Sequence, residues 1–315
     1  MFLKKQILLF SLILSSLTYA MKEEGLFITD PINIVADNID DLIINGVKNI
    51  EKNGELFEAN AGSGQQCYDV NYVLTNPLNR VHNARKPTSI KYLSRELIAY
   101  FNGSLKVKDG LSQASKMWDS LADENGEIAS NYGHYVFHQK LPNEDDMTQY
   151  DWVIKNLSRS LDSRKAFINV NQIAHKKLKT KDFPCTLGMQ FFTKKNHLCC
   201  TVASRSTDIY TGLPYDMGFF SFLNELVYRD IKERLGEKAE DLKLGHTTMK
   251  TNFTQIYDKT RTAALKMVKL YDSNQPYKTD MPIIYDAQET IKDIYNKTQH
   301  TPVMKWIYNN AQFEN

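Results

Sequence analysis

Residues 187–204 constrain the chain most. Leu187 to Thr193 and Leu198 to Ser204 are short runs rich in Phe, Val, Thr and Cys, separated only by Lys194-Lys195-Asn196-His197. Two such runs divided by a polar quartet predict a β-hairpin. Pairing them brings Cys185, just ahead of the first strand, to the same end as Arg205, just beyond the second. A thiol is nucleophilic as its thiolate, which nearby cations favour, and a guanidinium fork is a natural receiver of phosphate. The local expectation is a cysteine nucleophile beside an anion site.

A chain of 315 residues can bury a substantial core, as one large domain or two small ones. With 42% apolar and 24% charged residues and a net charge of +2, it reads as globular. No polybasic run suggests nucleic acid as a partner, so an anion would be met by a few placed arginines. Cys67, Cys185, Cys199 and Cys200 show no metal-ligand spacing, and no metal is expected. Cys199 and Cys200, inside a strand pattern, read as small buried hydrophobes.

Ser89 to Phe101 has the clearest helical period, with Ser89 as the expected N-cap and Asn102-Gly103 as its stop. Glu96 falls on its apolar stripe of Tyr92, Leu93, Leu97 and Tyr100. A carboxyl on a buried face holds its proton to higher pH, which suits proton transfer near neutrality, although pairing with an arginine is the plainer alternative. Further helices are expected over 43–51, 152–161 and 219–235, and a strand over 166–171. Asp123 to Gly126 reads as a polar turn and Trp118 as a core aromatic.

Several of these segments together resemble the thymidylate synthases and their hydroxymethylase relatives. That family places a Pro-Cys nucleophile before a Gln five residues on, then Arg-Ser-x-Asp and Gly-x-Pro-(Phe/Tyr)-Asn. Here stand Pro184-Cys185, Gln190, Arg205-Ser206-Thr207-Asp208 and Gly212-Leu213-Pro214-Tyr215-Asp216. The aspartate departs from the synthases, where an Asn reads uracil, and agrees with the phage deoxycytidylate hydroxymethylases, as does Cys185-Thr186. Trp118-Asp119, Ala122-Asp123, Gly126 and Tyr132-Gly133 follow a second family block, and Arg95-Glu96-Leu97 aligns with the helix of its catalytic glutamate. Asp162-Ser163-Arg164-Lys165 resembles an arginine pair that holds the phosphate of the partner subunit.

The resemblance implies an α/β fold with a large twisted mixed sheet, helices on one face, and a homodimer formed sheet to sheet. It implies catalysis by Cys185 and Glu96. It assigns nucleotide contacts to Arg205, Ser206, Gln190, Asp216, Tyr132 and Tyr257, with Arg164 acting across the interface. Trp118, Asp208 and Gly212 would meet 5,10-methylenetetrahydrofolate, the one-carbon donor. A pyrimidine nucleoside monophosphate is the implied substrate, a deoxycytidylate by Asp216, with thymidylate synthesis or a non-catalytic nucleotide-binding role as alternatives. Two positions depart further. Asn60-Ala61-Gly62-Ser63-Gly64 matches the family's phosphate loop, but Asn60 stands where that loop has arginine, with Arg80 or Arg85 as substitutes, and Gln255 replaces a sugar-binding histidine.

The expected organisation is a leader at 1–20, an N-terminal extension at 21–54, a catalytic domain at 55–270 and a C-terminal surface extension at 271–315. Lys4-Lys5, the eleven-residue run from Ile7 to Leu17 and Thr18-Tyr19-Ala20 look like an export signal too short to span a bilayer. Met21 follows as a plausible start, and a reduced thiol and nucleotide chemistry favour the cytoplasm.

Overall fold

The computed structural model describes residues 30–59, 61–142, 144, 146–177, 179–272 and 281–313. The segment read as a leader and Asn60 lie outside them. The described residues from Ile32 onward form one compact unit, which carries the sheet and its helices.

This unit is built on a mixed seven-stranded sheet. Its strands are β1 (Ile32–Ala36), β2 (Glu55–Ala59), β3 (Gly62–Leu74), β4 (Phe167–Asn169), β5 (Thr186–Lys194), β6 (His197–Asp208) and β7 (Lys243–Tyr257). The order is β1-β3-β7-β6-β5-β4, with β2 also on β3. β1 runs parallel to β3 and β6 parallel to β7, while the remaining pairs are antiparallel. The predicted hairpin is present as β5 and β6. Lys195 and Asn196 turn it with φ of 50° and 59°, left-handed values that suit a tight hairpin turn.

Helix α1 (Ile39–Asn53) starts a turn earlier than its apolar period suggested. Asn38 caps it, accepting from Asp41 N at 2.8 Å, and Asp40 and Asp41 suit the positive end. Helix α2 (Thr88–Asn102) begins after Pro87, not on Ser89, whose hydroxyl donates instead to His82 O at 2.6 Å. Its stop is as expected, with Gly103 at φ 67°. Helix α3 (Gln149–Arg159) opens on a reciprocal Thr148–Asp151 capping box. Helix α4 (Leu213–Leu235) begins six residues before the aromatic run at 219, with Pro214 in its first turn, so Asp216 is helical. α1 and α4 pack on β3, β6 and β7. Tyr72, Met249 and Val202 on the strands are fully buried, and Phe219 and Phe222 of α4 meet Tyr100 and Phe101 of α2.

Gly62, Ser63 and Gly64, read as a phosphate loop, are instead strand residues of β3 facing Ala59, Glu58 and Phe57. A Cβ at Gly64 would collide with the Ile256 carbonyl, so its glycine serves close strand approach. In the middle of β3, Asp69 at φ 51° changes which residues face inward, from Val70, Tyr72 and Leu74 to Cys67. Cys199 and Cys200 are buried as expected, and Cys199 Sγ lies 3.5 Å from His246 Nδ1.

The surface extension expected after residue 270 is corrected by the structure. After α5 (Asp258–Leu270), helices α6 (Ala287–Asn296) and α7 (Pro302–Ala311) bury Ile294, Val303, Met304 and Ile307, and α7 packs on α2. Buried acids anchor the segment. Asp293 accepts from Thr298 Oγ1 (2.6 Å), His300 N (2.9 Å), and Thr301 N (2.8 Å) and Oγ1 (2.9 Å). Glu225 on α4 accepts from Ile284 N at 2.9 Å and from Arg80 at 2.6 Å. Arg80, a candidate phosphate ligand by sequence, is thus fully buried in a core ion pair.

Candidate active site

The hairpin and the first turn of α4 build the site. Across the open end of β5 and β6, Arg205 N donates to Cys185 O at 2.9 Å and Ser204 Oγ to the same carbonyl at 3.0 Å. The Arg205 guanidinium grips the segment just before the cysteine, with Nε on Pro184 O at 3.2 Å and Nη2 on Phe183 O at 2.6 Å. Asp182 ties that segment to a second loop, accepting from Ala129 N (2.6 Å), Ser130 N (2.8 Å) and Ser130 Oγ (2.5 Å). Tyr132 follows in that loop. Its hydroxyl is pushed well up by burial, then by the charges of Asp216 and Cys185, which places all three groups together.

The expectation that cations would favour a resting thiolate fails. Arg205 pulls in that direction, but burial outweighs it, and Asp216 and Asp182 add to the burial effect, pushing the Cys185 thiol up to about 11. The sulfur is protonated at neutral pH.

Two carboxyls complete the cluster. Burial pushes Asp216 up to about 7, and no described residue donates a hydrogen bond to its side chain, which keeps partial exposure. Glu96 lies on the buried face of α2, and burial first, then the Asp216 charge, pushes it up to about 8. Its one direct partner among the described residues is Tyr92, whose hydroxyl donates to Oε1 at 3.0 Å and accepts from Trp118 Nε1 at 3.2 Å. The arginine pairing allowed for Glu96 is absent among the described residues. Tyr215 packs against Tyr92 with ring centroids 4.3 Å apart and planes tilted by 45°, so Trp118, Tyr92 and Tyr215 form an aromatic wall.

Ser206, Gln255 and Tyr257 lie along the ends of β6 and β7. Ser206 Oγ donates to Gln255 Oε1 at 3.1 Å, and burial pushes the Tyr257 hydroxyl up against the pull of Gln255, with Asp208 and Cys185 adding to the rise. Asp208 closes the turn into α4, accepting from Tyr210 N and Thr211 N, each at 2.8 Å. Gly212 carries that turn; a Cβ there would meet Asp208 O at 3.1 Å.

Two predicted residues do not join this group. Gln190 sits well along β5 from Cys185, its amide on Arg164 O at 3.1 Å, and Arg164 is exposed beside it. Arg85 stacks its guanidinium 3.9 Å above the Tyr210 ring and donates to Tyr210 O, beside the turn of Asp208. No cluster of metal-binding side chains occurs among the described residues. Sequence reasoning missed Asp182 and the polar role of Tyr92. Only the four-residue spacing of Tyr92 from Glu96 hinted at the latter.

A half-buried thiol, two proton-retaining carboxyls and an aromatic wall meet at one end of a mixed sheet, an arrangement suited to nucleophilic and proton-transfer chemistry on a flat ring. The chain matches the thymidylate synthase family over residues 39–298 and belongs to it, which makes it a one-carbon transferase acting at pyrimidine carbon 5. The family binds a pyrimidine nucleotide and uses methylenetetrahydrofolate as co-substrate. The chain is 27% identical over 173 residues to the deoxycytidylate 5-hydroxymethyltransferase of Enterobacteria phage T4, covering 54% of this chain and 68% of that protein. It is 26% identical over 155 residues to the thymidylate synthase of Coxiella burnetii, covering 48% of this chain and 57% of that protein.

Proposed function

We propose that the protein is a deoxycytidylate 5-hydroxymethyltransferase. The observation that carries this is Asp216, a partly exposed carboxyl without a described hydrogen-bond donor of its own, beside Cys185 and Glu96. Cytosine offers an amino group and a ring nitrogen that takes up a proton as the ring is attacked, and a carboxylate accepts from both. Against uracil the same carboxylate faces a carbonyl oxygen, which costs on the order of 1–3 kcal/mol in a buried site.

As the Cys185 sulfur bonds to carbon 6, the electrons of the 5,6 double bond shift to carbons 4 and 5 and those of the carbon 4–nitrogen 3 double bond onto nitrogen 3, which takes up the proton the thiol releases, leaving an enamine whose carbon 5 is nucleophilic. Arg205 and Ser206 hold the phosphate, Gln255 and Tyr257 the sugar. Tyr132 lies against the nucleophile. Glu96 donates a proton while protonated and, once ionised, accepts the proton that leaves carbon 5. Methylenetetrahydrofolate, when bound, supplies the one-carbon unit. The aromatic wall led by Trp118 fits its flat ring system, with Asp208 and Gly212 at the adjoining turn.

Arg164 and Gln190 are remote from Cys185 in their own chain, which supports the reading that Arg164 serves a partner subunit in a homodimer. The uncovered strands offer the surface for it. Val35, Tyr68, Phe167, Leu187 and Phe253 stay exposed, with Tyr68 and Phe253 packed edge to face. A reduced thiol nucleophile suits work in the cytoplasm.

The test is competition between deoxycytidylate and deoxyuridylate. The wild type is expected to favour deoxycytidylate, and Asp216→Asn to shift the preference toward deoxyuridylate by about tenfold or more, as expected for one mismatched buried polar pair. An unchanged ratio rejects the assignment. The level identity to a thymidylate synthase favours that activity as the second reading. Formation of dihydrofolate, not tetrahydrofolate, would establish it.

A further inference from the structure

Resting on the transferase reading of this site, we propose that Tyr92 is a positioning residue that holds the Glu96 carboxyl in one orientation and fixes which of its oxygens carries the proton. Tyr92 stands one helical turn before Glu96, the spacing at which side chains on α2 meet. Its hydroxyl lies 3.0 Å from Glu96 Oε1 and 3.2 Å from Trp118 Nε1.

The polarity of this chain of hydrogen bonds is set by chemistry. An indole N–H can only donate, so it takes a lone pair of the Tyr92 oxygen. Among the described residues Glu96 Oε1 is the one acceptor for the single phenolic proton, which makes Oε1 the accepting oxygen. When Glu96 is protonated, its proton must sit on Oε2. The Tyr92 ring is itself clamped by Tyr215, which directly precedes Asp216, so three elements converge on one hydroxyl. Desolvation, with the Glu96 charge adding to it, pushes the Tyr92 hydroxyl well up, which preserves it as a donor.

The titratable groups facing Glu96 are Asp216 and Tyr215 from α4 and Tyr92 and Tyr100 from α2, with Tyr132 and Cys185 beyond Asp216. Asp216 disfavours the Glu96 carboxylate, whereas the Tyr92 hydrogen bond favours it. Losing the hydroxyl therefore moves the Glu96 ionisation to higher pH.

The experiment uses the full chain and its Tyr92→Phe, Trp118→Phe and Glu96→Gln variants. The carboxyl stretch of Glu96 is followed by difference infrared spectroscopy in ligand-free protein, and the band lost in Glu96→Gln assigns it. Tyr92→Phe is expected to raise its midpoint by about half a pH unit or more, and Trp118→Phe by less in the same direction. In turnover, Tyr92→Phe should lower kcat at pH 7 by about tenfold and move its Glu96 ionisation upward, with the nucleotide KM within about twofold. An unmoved midpoint in Tyr92→Phe overturns the proposal, as does a raised KM with kcat kept. A shifted midpoint in a protein that transfers no one-carbon unit upholds the hold of Tyr92 on Glu96 and overturns only the transferase reading.

Discussion

Glu96 and Asp216 show what a desolvated acid costs the fold. An acid whose folded pKa is raised is stabilising only below its unfolded value, and the stability is lost as pH climbs to the folded value. For Glu96, raised from 4.5 to about 8, the loss begins near pH 4.5 and is complete above pH 8. Glu96→Gln should therefore stabilise the protein at pH 9, by on the order of 3–5 kcal/mol at most, with little gain at pH 4.5. Thermal melts across that range measure it, and a gain independent of pH would contradict the buried-acid account. At this scale the sequence already placed Cys185 opposite Arg205, because strand pairing is local. It could not foresee that the thiol would be held protonated, since that depends on burial and on Asp216, thirty-one residues away.

Among the elements, α4 links the site to the core. Its first turn presents Asp216, and about two and a half turns further Glu225 pairs with Arg80 and holds Ile284. A buried charge stripped of its partner is expensive, so Glu225→Leu should destabilise by about 3–5 kcal/mol. Adding Arg80→Met should recover a large part, because it removes the stranded cation. Urea denaturation of the two variants checks this, and a double variant as unstable as the single would refute the ion-pair account. The helical periods of α2 and α4 were legible because each buries a continuous apolar stripe. Those of α6 and α7 were not, because ten residues give fewer than three turns of a period, and in α6 the buried positions include the polar Thr290 and Asp293.

At the scale of the molecule, exposed strand residues and a displaced Arg164 point to a second copy. Sedimentation should show a dimer. Arg164→Ala and Cys185→Ser should each be nearly inactive, and their mixture should regain about a quarter of wild-type activity, because half the dimers are mixed and each mixed dimer has one intact site. A mixture as inactive as its parents would sink the shared site.

The sequence alone determined the hairpin, the two main helices and the chemistry on offer, since short-range periodicity and fixed motif spacing specify all three. The tertiary structure decided the rest: that Arg80 is a core ion and not a phosphate ligand, that the glycine segment is a strand, that the C-terminal helices are structural, and that Tyr92 meets Glu96. The physical reason is common to all four. Burial and partner choice are set by residues far apart in the chain, and desolvation acts on a group only after distant elements have closed around it.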